Sequence, residues 1–329
     1  MAGDQPVVAA VVVTYNRRPL LLEALAAVQA QTRPTDTLIV VDNASTDESA
    51  AAVAQQFPAA RLERLARNTG GAGGFAFGLA LALAGGGGGP ADLIWLMDDD
   101  TIPEPGALAA LLEARDRYPA GRPALIASRV VWTDGRPHPM NTPRVKPFAR
   151  PDELAAAAAA GCQPIRSASF VSVLVDAAVT ARRGLPQADY FLWNDDFEFT
   201  TRLLRGQAGL LCPASVVVHK TAAFGGTDND PGPRFFYEVR NKIWTLRTGA
   251  ALTPAERVMY GGSTLRRWAR TFAKSGDRRA LGSALARGAV AGVGTRPRPT
   301  QDVLADVGLP GPPAPPGERD GRRTGRALT

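Results

Sequence analysis

A chain of 329 residues with 45% hydrophobic and 21% charged side chains can bury a sizeable core, which excludes wholesale disorder and leaves one large α/β domain with an appendage or two small domains. The formal net charge of +7 invites a polyanionic partner, whether nucleic acid, an anionic membrane or a phosphorylated substrate, and charge alone does not choose among them. Cys162 and Cys212 are the only cysteines and show no metal-ligand spacing, which speaks against a disulfide framework or zinc ribbon and for a reducing, cytoplasmic setting.

Val7 to Val13 is an unbroken Val-rich run that suits a parallel strand buried on both faces. A turn at Thr14, Tyr15 and Asn16 follows, then Leu21, Leu25 and Val28 at helical spacing, then a second apolar run from Leu38 to Val41 ending at Asp42. That is a βαβ unit. Ser45 and Thr46 open a further helix, a strand is predicted near Leu62 to Leu65, and Leu93 to Met97 and Ala107 to Arg117 read as another strand and helix. Repeated βα alternation predicts a mostly parallel sheet covered by helices. Between Thr133 and Pro164 the pattern dissolves into Pro, Arg and polyalanine, which reads as a surface excursion. Strands are predicted over Ser167 to Val175 and Gly209 to Val218, with a helix from about Asp195 to Arg205 between them. Boundaries are drawn at 1–250 for the α/β domain, 251–296 for a basic helical extension, and 297–329 for a Pro/Gly/Arg-rich tail expected to be disordered.

Asp98, Asp99 and Asp100 end the strand Leu93 to Met97, at the sheet edge where open α/β proteins bind ligands. Adjacent carboxylates repel unless solvated or neutralised, and a divalent cation bridging carboxylate and diphosphate is the usual neutraliser. The alternative is a solvated acidic turn. Thr14, Asn16, Asp42 and Asn43 follow the first two strands at the same edge, where they either grip a nucleoside or make plain turns. The run Asn68 to Phe75 packs four glycines before an apolar helix. It either lets backbone approach a phosphate or packs a helix tightly on the sheet, and it matches neither a P-loop nor a dinucleotide fingerprint. In Asn194-Asp195-Asp196-Phe197-Glu198, a carboxylate near a reacting hydroxyl could act as general base; helix capping is the alternative. His219 ends a strand as a candidate nitrogen ligand, and Arg240-Asn241 as a candidate for diphosphate or acceptor. Leu265, Trp268, Ala269 and Phe272 share a helix face flanked by Arg266, Arg267, Arg270 and Lys274, which reads as an interfacial anchor or as core packing with a basic rim. No nucleic-acid-binding motif accompanies the charge. No basic leader and no run of about 18 apolar residues occurs, so the chain is not expected to span a membrane.

Taken together, Val11 to Arg17, Val40 to Asp47, the glycine run, Trp95 to Asp100 and Asn194 to Glu198 resemble the family-2 inverting glycosyltransferases over roughly residues 7 to 247, in order and spacing as well as in wording. Asn68 to Phe75 and Arg240-Asn241 are most similar to bacterial galactofuranosyl- and rhamnosyltransferases of cell-envelope synthesis. The resemblance implies a GT-A fold, a metal-dependent hexosyltransferase, a nucleotide-diphosphate sugar donor and Mn²⁺ or Mg²⁺. It implies a glycan or polyprenyl-linked acceptor met at the inner face of the plasma membrane. Carried onto this chain, it puts Thr14, Asn16, Arg17, Asp42, Asn68, Gly73, Gly74, Asp98, Asp99 and Arg240 on the nucleotide sugar. Asp98, Asp100 and His219 fall on the metal, Trp193 and Glu198 on the acceptor, and Asp196 becomes the base with Asp195 as runner-up. Two rivals stand beside this reading: a nucleotidyltransferase, which should show a Gly-rich basic loop after the first strand, and a non-catalytic glycan-binding relative.

Overall fold

The computed structural model describes residues 5–85, 89–225, 230–248 and 251–311. Its first half alternates strand and helix: β1 (Val8–Thr14), α1 (Arg18–Gln29), β2 (Thr37–Asp42), α2 (Ser49–Gln56), β3 (Arg61–Arg64), α3 (Gly70–Ala84), β4 (Leu93–Asp98), β5 (Thr101–Pro103) and α4 (Ala107–Arg117). All seven residues of β1 are buried, because the strand is covered on both faces. Val8, Ala10 and Val12 point into one core with Leu21, Leu25 and Val28 of α1, while Ala9, Val11 and Val13 point into the other with Phe75 and Leu79 of α3. α3 lies so close to the sheet that a Cβ on Gly74 would sit 2.5 Å from Val13 Cγ1, and one on Gly78 2.4 Å from Val11 Cγ1.

The second half comprises β6 (Leu125–Val131), β7 (Arg144–Val145), α5 (Pro151–Ala159), β8 (Gln163–Ser167), β9 (Val173–Asp176), α6 (Ala177–Arg183), α7 (Asp195–Leu203) and β10 (Gly209–His219). The sheet runs β3-β2-β1-β4-β9-β6-β10-β8-β7, with β5 paired to β10. The predicted parallel alternation holds from β3 to β4; beyond it β9 runs antiparallel to β4 and β6, and β8 antiparallel to β10. The predicted strand Ser167 to Val175 is two strands, since residues 168–172 leave the ladder. The polyalanine stretch is α5, capped by Glu153, and the excursion around it buries His138 and Asn141.

α8 (Phe235–Thr248), α9 (Pro254–Lys274) and α10 (Arg278–Gly294) pack together and onto the domain. Trp268 and Phe272 of α9 set their rings edge-on against Phe235 of α8, 5.8 and 5.9 Å between centroids, so core packing accounts for both. Arg166 on β8 is 5% exposed and binds Glu256 of α9 at 2.6 Å and the Ala251 carbonyl, which ties the extension to the sheet. The tail expected to be disordered from Pro297 is ordered through Gly311. Short helix α11 (Thr300–Val303) and fully buried Leu304 pack against Ala76 of α3, because the apolar Val303-Leu304 pair finds a cover there. Residues 312–329 lie outside the described chain.

Candidate active site

The carboxyl ends of β2, β1 and β4 present Asp42, Thr14 and Asp98 in adjacent register. Thr14 Oγ1 donates to Asp99 Oδ2 at 2.8 Å, and the Tyr15 amide to the same oxygen at 3.3 Å. Asn16, in the left-handed region at φ 54°, receives the Thr46 amide on Oδ1 at 2.7 Å, and its own amide donates to Ser45 Oγ, so it splices the loops after β1 and β2. Asp42 is fully buried: Oδ1 accepts from the Ser45 amide at 3.0 Å, while Oδ2 has no hydrogen-bond partner, the nearest cation being Arg64 Nε at 3.6 Å. An orphaned carboxylate oxygen of this kind fits a ligand hydroxyl or N–H. Asn68 Oδ1 accepts from the Gly70 amide, and Asn43 anchors the same turn through Thr69 and the Gly70 carbonyl.

The chain turns sharply after Asp98 and returns as β5, whose Thr101 pairs with His219 at the end of β10. That pairing brings Asp98, Asp100 and His219 together, with ligand atoms all within 4.8 Å of one another. Burial, followed by repulsion from Asp100 and Asp99, holds the Asp98 carboxyl well above its ordinary range. Asp99 is pushed up to about 6, by burial first, against the pull of Arg17. Arg17 reaches Asp99 Oδ1 at 3.4 Å and is hydrogen-bonded to Asp100 Oδ2. His219 Nδ1 donates to Asn141 Oδ1 at 2.8 Å, and Nε2 faces Asp100 Oδ1 at 3.0 Å. Burial raises the Asp100 carboxyl, but His219 and Arg17 outweigh it and hold the group below its ordinary range. Two carboxylates and an imidazole converging within this distance could hold one divalent cation.

Facing this edge is the N-terminus of α7. Asp195 is buried, and its carboxyl is pushed up to about 8 by burial and by the neighbouring Asp196. Asp196 is the more open of the pair; its Oδ1 accepts from the Phe197 amide at 2.6 Å, and Ser169 is hydrogen-bonded to it. Burial raises the Asp196 carboxyl while those bonds and the charges of Lys242 and Arg144 oppose the rise. Lys242 is 3% exposed, lies 4.1 Å over the Phe197 ring, and is driven down to about 7 by burial. The segment before α7 is strained: Phe191, Trp193 and Asn194 have φ of 63°, 64° and 65°. Asn241 Nδ2 holds it by donating to the carbonyls of Tyr190, Leu192 and Trp193 at 2.8–2.9 Å.

Several residues assigned to ligands have partners within the chain. Arg240 donates to the Asp189 and Tyr190 carbonyls and stacks on Trp244 at 4.3 Å, so it clamps the strained segment. Glu198 is 4% exposed and paired with Arg202 at 2.8 Å. Gly73 and Gly74 are buried inside α3, where a Cβ would strike Thr69 and Val13; helix packing, not ligand approach, requires them. Trp193 is half-buried beside the acidic pair. Asn141 and Lys242 were missed. Asn141 lies in a stretch without periodicity, whereas the i,i+4 spacing of Glu238 and Lys242 on one helix was a readable signal.

An α/β sheet with an acidic triplet and a late histidine at one edge, opposed by an acidic helix start, is the arrangement of a GT-A glycosyltransferase. Solved structures of that class share the fold: Staphylococcus aureus TarS 1-349 in complex with UDP-GlcNAc superposes with a TM-score of 0.58 at 14% identity, covering 91% of this chain and 83% of that one. The mannosyltransferase PcManGT of Pyrobaculum calidifontis in complex with GDP-Man and Mn²⁺ does so at 0.53 and 20% identity, covering 92% and 79%. Residues 9–169 match the profile of glycosyl transferase family 2, and over 255 residues the chain is 33% identical to galactofuranosyltransferase GlfT1 of Mycobacterium tuberculosis, spanning 72% of this chain and 81% of that relative. The chain belongs to glycosyl transferase family 2.

Proposed function

We propose that this protein is an inverting, metal-dependent hexosyltransferase that moves galactofuranose from UDP-galactofuranose to a hydroxyl of a cell-envelope glycan or polyprenyl-linked acceptor. The observation that carries the reading is the convergence of Asp98, Asp100 and His219 at the strand edge opposite Asp196. The relatives named as galactofuranosyltransferases favour that sugar over dTDP-rhamnose. Asp98, Asp100 and His219 would hold the divalent ion, which when bound stabilises negative charge on the departing diphosphate.

The rest falls to the chain. The free Oδ2 of Asp42 and the loop spliced by Asn16 receive the nucleoside. Arg17, half exposed and already on Asp99 and Asp100, is placed to counter diphosphate charge. Asp196, whose carboxyl is raised by burial against the charges of Lys242 and Arg144 and aimed by Ser169 and the Phe197 amide, takes the acceptor proton as the hydroxyl oxygen bonds to the anomeric carbon. The bond from that carbon to the diphosphate oxygen breaks on the opposite face, so one displacement inverts configuration. Asp196→Asn should therefore retain UDP affinity within a few-fold while kcat falls by roughly 10²–10⁴. Unchanged turnover in that variant would remove Asp196 from the reaction.

A peripheral contact with an anionic bilayer at the inner face of the plasma membrane belongs to the same proposal. No helix among the described residues is long and apolar enough to cross a membrane. Since Trp268 and Phe272 are packed inward, the contact falls to the outer face of α9, where Val258 is 79% and Leu265 65% exposed. Val258→Glu with Leu265→Glu should abolish co-sedimentation with phosphatidylglycerol vesicles, and undiminished co-sedimentation would exclude this face.

A further inference from the structure

The two cysteines, unrelated by any spacing in the sequence, meet in the fold. β8 and β10 pair antiparallel with Leu210 opposite Pro164 and Leu211 opposite Gln163, and the next step of that ladder sets Cys212 opposite Cys162. Directly opposed residues of antiparallel strands hold their Cβ atoms about 4.5–5.5 Å apart, and a disulfide requires about 3.5–4.5 Å. Closure therefore needs rotation of two side chains and a displacement on the order of 1 Å, not refolding. The backbone can supply it, because the register of β10 against β6 shifts immediately after Cys212. Both thiols are buried, at 6% and 2% exposure, and perturb one another, while Cys162 Sγ also donates to the Ala160 carbonyl at 3.4 Å and Cys212 Sγ to the Ala110 carbonyl at 3.6 Å. Among the described residues the one His/Cys/Asp/Glu group able to hold a metal is Asp98, Asp100 and His219, so no third ligand turns the pair into a metal site.

We propose that Cys162 and Cys212 form a reversible redox pair that closes to an intramolecular disulfide when the protein meets a peroxide. The pair is polarised for that step. The Cys162 side chain, supported by the Ser215 and Ala214 amides and opposed by burial, holds the Cys212 thiol below its ordinary range. The same contact, then burial, pushes Cys162 up. Cys212 is therefore assigned the attack, as its thiolate. It bonds to one peroxide oxygen, the O–O bond breaks, and the expelled hydroxide takes a proton and leaves as water. The Cys162 sulfur then attacks the sulfenyl sulfur; its proton departs with the displaced hydroxide as a second water. Two thiols lose two electrons and two protons, and the peroxide gains both. The new bond would pin the root of the 132–162 excursion, which carries Asn141, to the strand that ends at His219.

The reduced full chain is incubated with hydrogen peroxide, unfolded in the presence of a maleimide, and weighed intact. The proposal predicts a species lighter by two hydrogen atoms that takes up no maleimide and yields a Cys162–Cys212 cross-linked peptide. Its melting temperature should rise by a few degrees and return on treatment with dithiothreitol. In Cys162→Ser, the same treatment should leave a Cys212 sulfenic acid that dimedone traps. Uptake of two maleimides after peroxide, disulfide-linked dimers, or Cys212 gaining oxygen while Cys162 stays free would each overturn the pairing.

Discussion

Asp100 is held from two sides, by Arg17 on one oxygen and by His219 Nε2 facing the other at 3.0 Å. What orients that imidazole is Asn141, through Nδ1. Asn141→Ala should therefore weaken Mn²⁺ binding by about 10–100-fold, read by titration calorimetry, while the melting temperature of the metal-free protein changes little. Equal affinity in both proteins would mean that the imidazole needs no orienting partner. Asp195 gives a pH signature of its own. Its folded carboxyl sits at about 8 against an ordinary 3.8, so between those values the native chain keeps a proton that the unfolded chain has released. Its contribution to stability is full below about pH 4 and is lost as pH rises through about 8. Urea unfolding of Asp195→Asn should accordingly show a flatter decline of stability from about pH 5 to 8 than the parent protein, and parallel declines would contradict the assigned shift.

At the scale of elements, the segment before α7 is strained and α8 is what holds it. Three non-glycine residues in the left-handed region cost on the order of 1–3 kcal/mol each, and one Asn241 side chain meets the carbonyls that this conformation turns inward. Asn241→Ala should cost about 1–3 kcal/mol in denaturant unfolding and lower kcat more than it alters KM, since it displaces the acidic pair and not the donor loops. A stability loss with kcat intact would separate the clamp from catalysis. The Arg240-Asn241 pair was conspicuous in the sequence, but a sequence shows donors without showing that their acceptors are carbonyls of the same chain. The glycine run was left open between two readings for a related reason. Gly74 was legible as a site of close approach, and only the fold reveals that Val13 is what approaches. Where periodicity was strong, as in β1, β4 and α4, elements were readable nearly to the residue; the polyalanine of α5 has no polar face to betray a helix.

Across the whole molecule, the C-terminal helices are structural members of the catalytic unit. Glu238 of α8 accepts from Asn194 beside the acidic pair and from Trp268 and Arg267 of α9, so a side chain of the extension is two hydrogen bonds from Asn194, the neighbour of Asp195 in the chain. Composition could not forecast this, because a basic amphipathic helix looks the same whether its aromatic face meets lipid or Phe235. The triple Asp, by contrast, was legible in place, because an apolar strand fixed its edge; His219, which the family resemblance offered as its partner, ends another strand that the fold lays beside it. The most direct test of the account is calorimetric titration of UDP with and without Mn²⁺. Binding to the parent protein should require the ion, and Asp98→Asn should lose the metal-dependent part while remaining folded. Equally tight UDP binding in a chelator, or metal-dependent binding that survives Asp98→Asn, would contradict it.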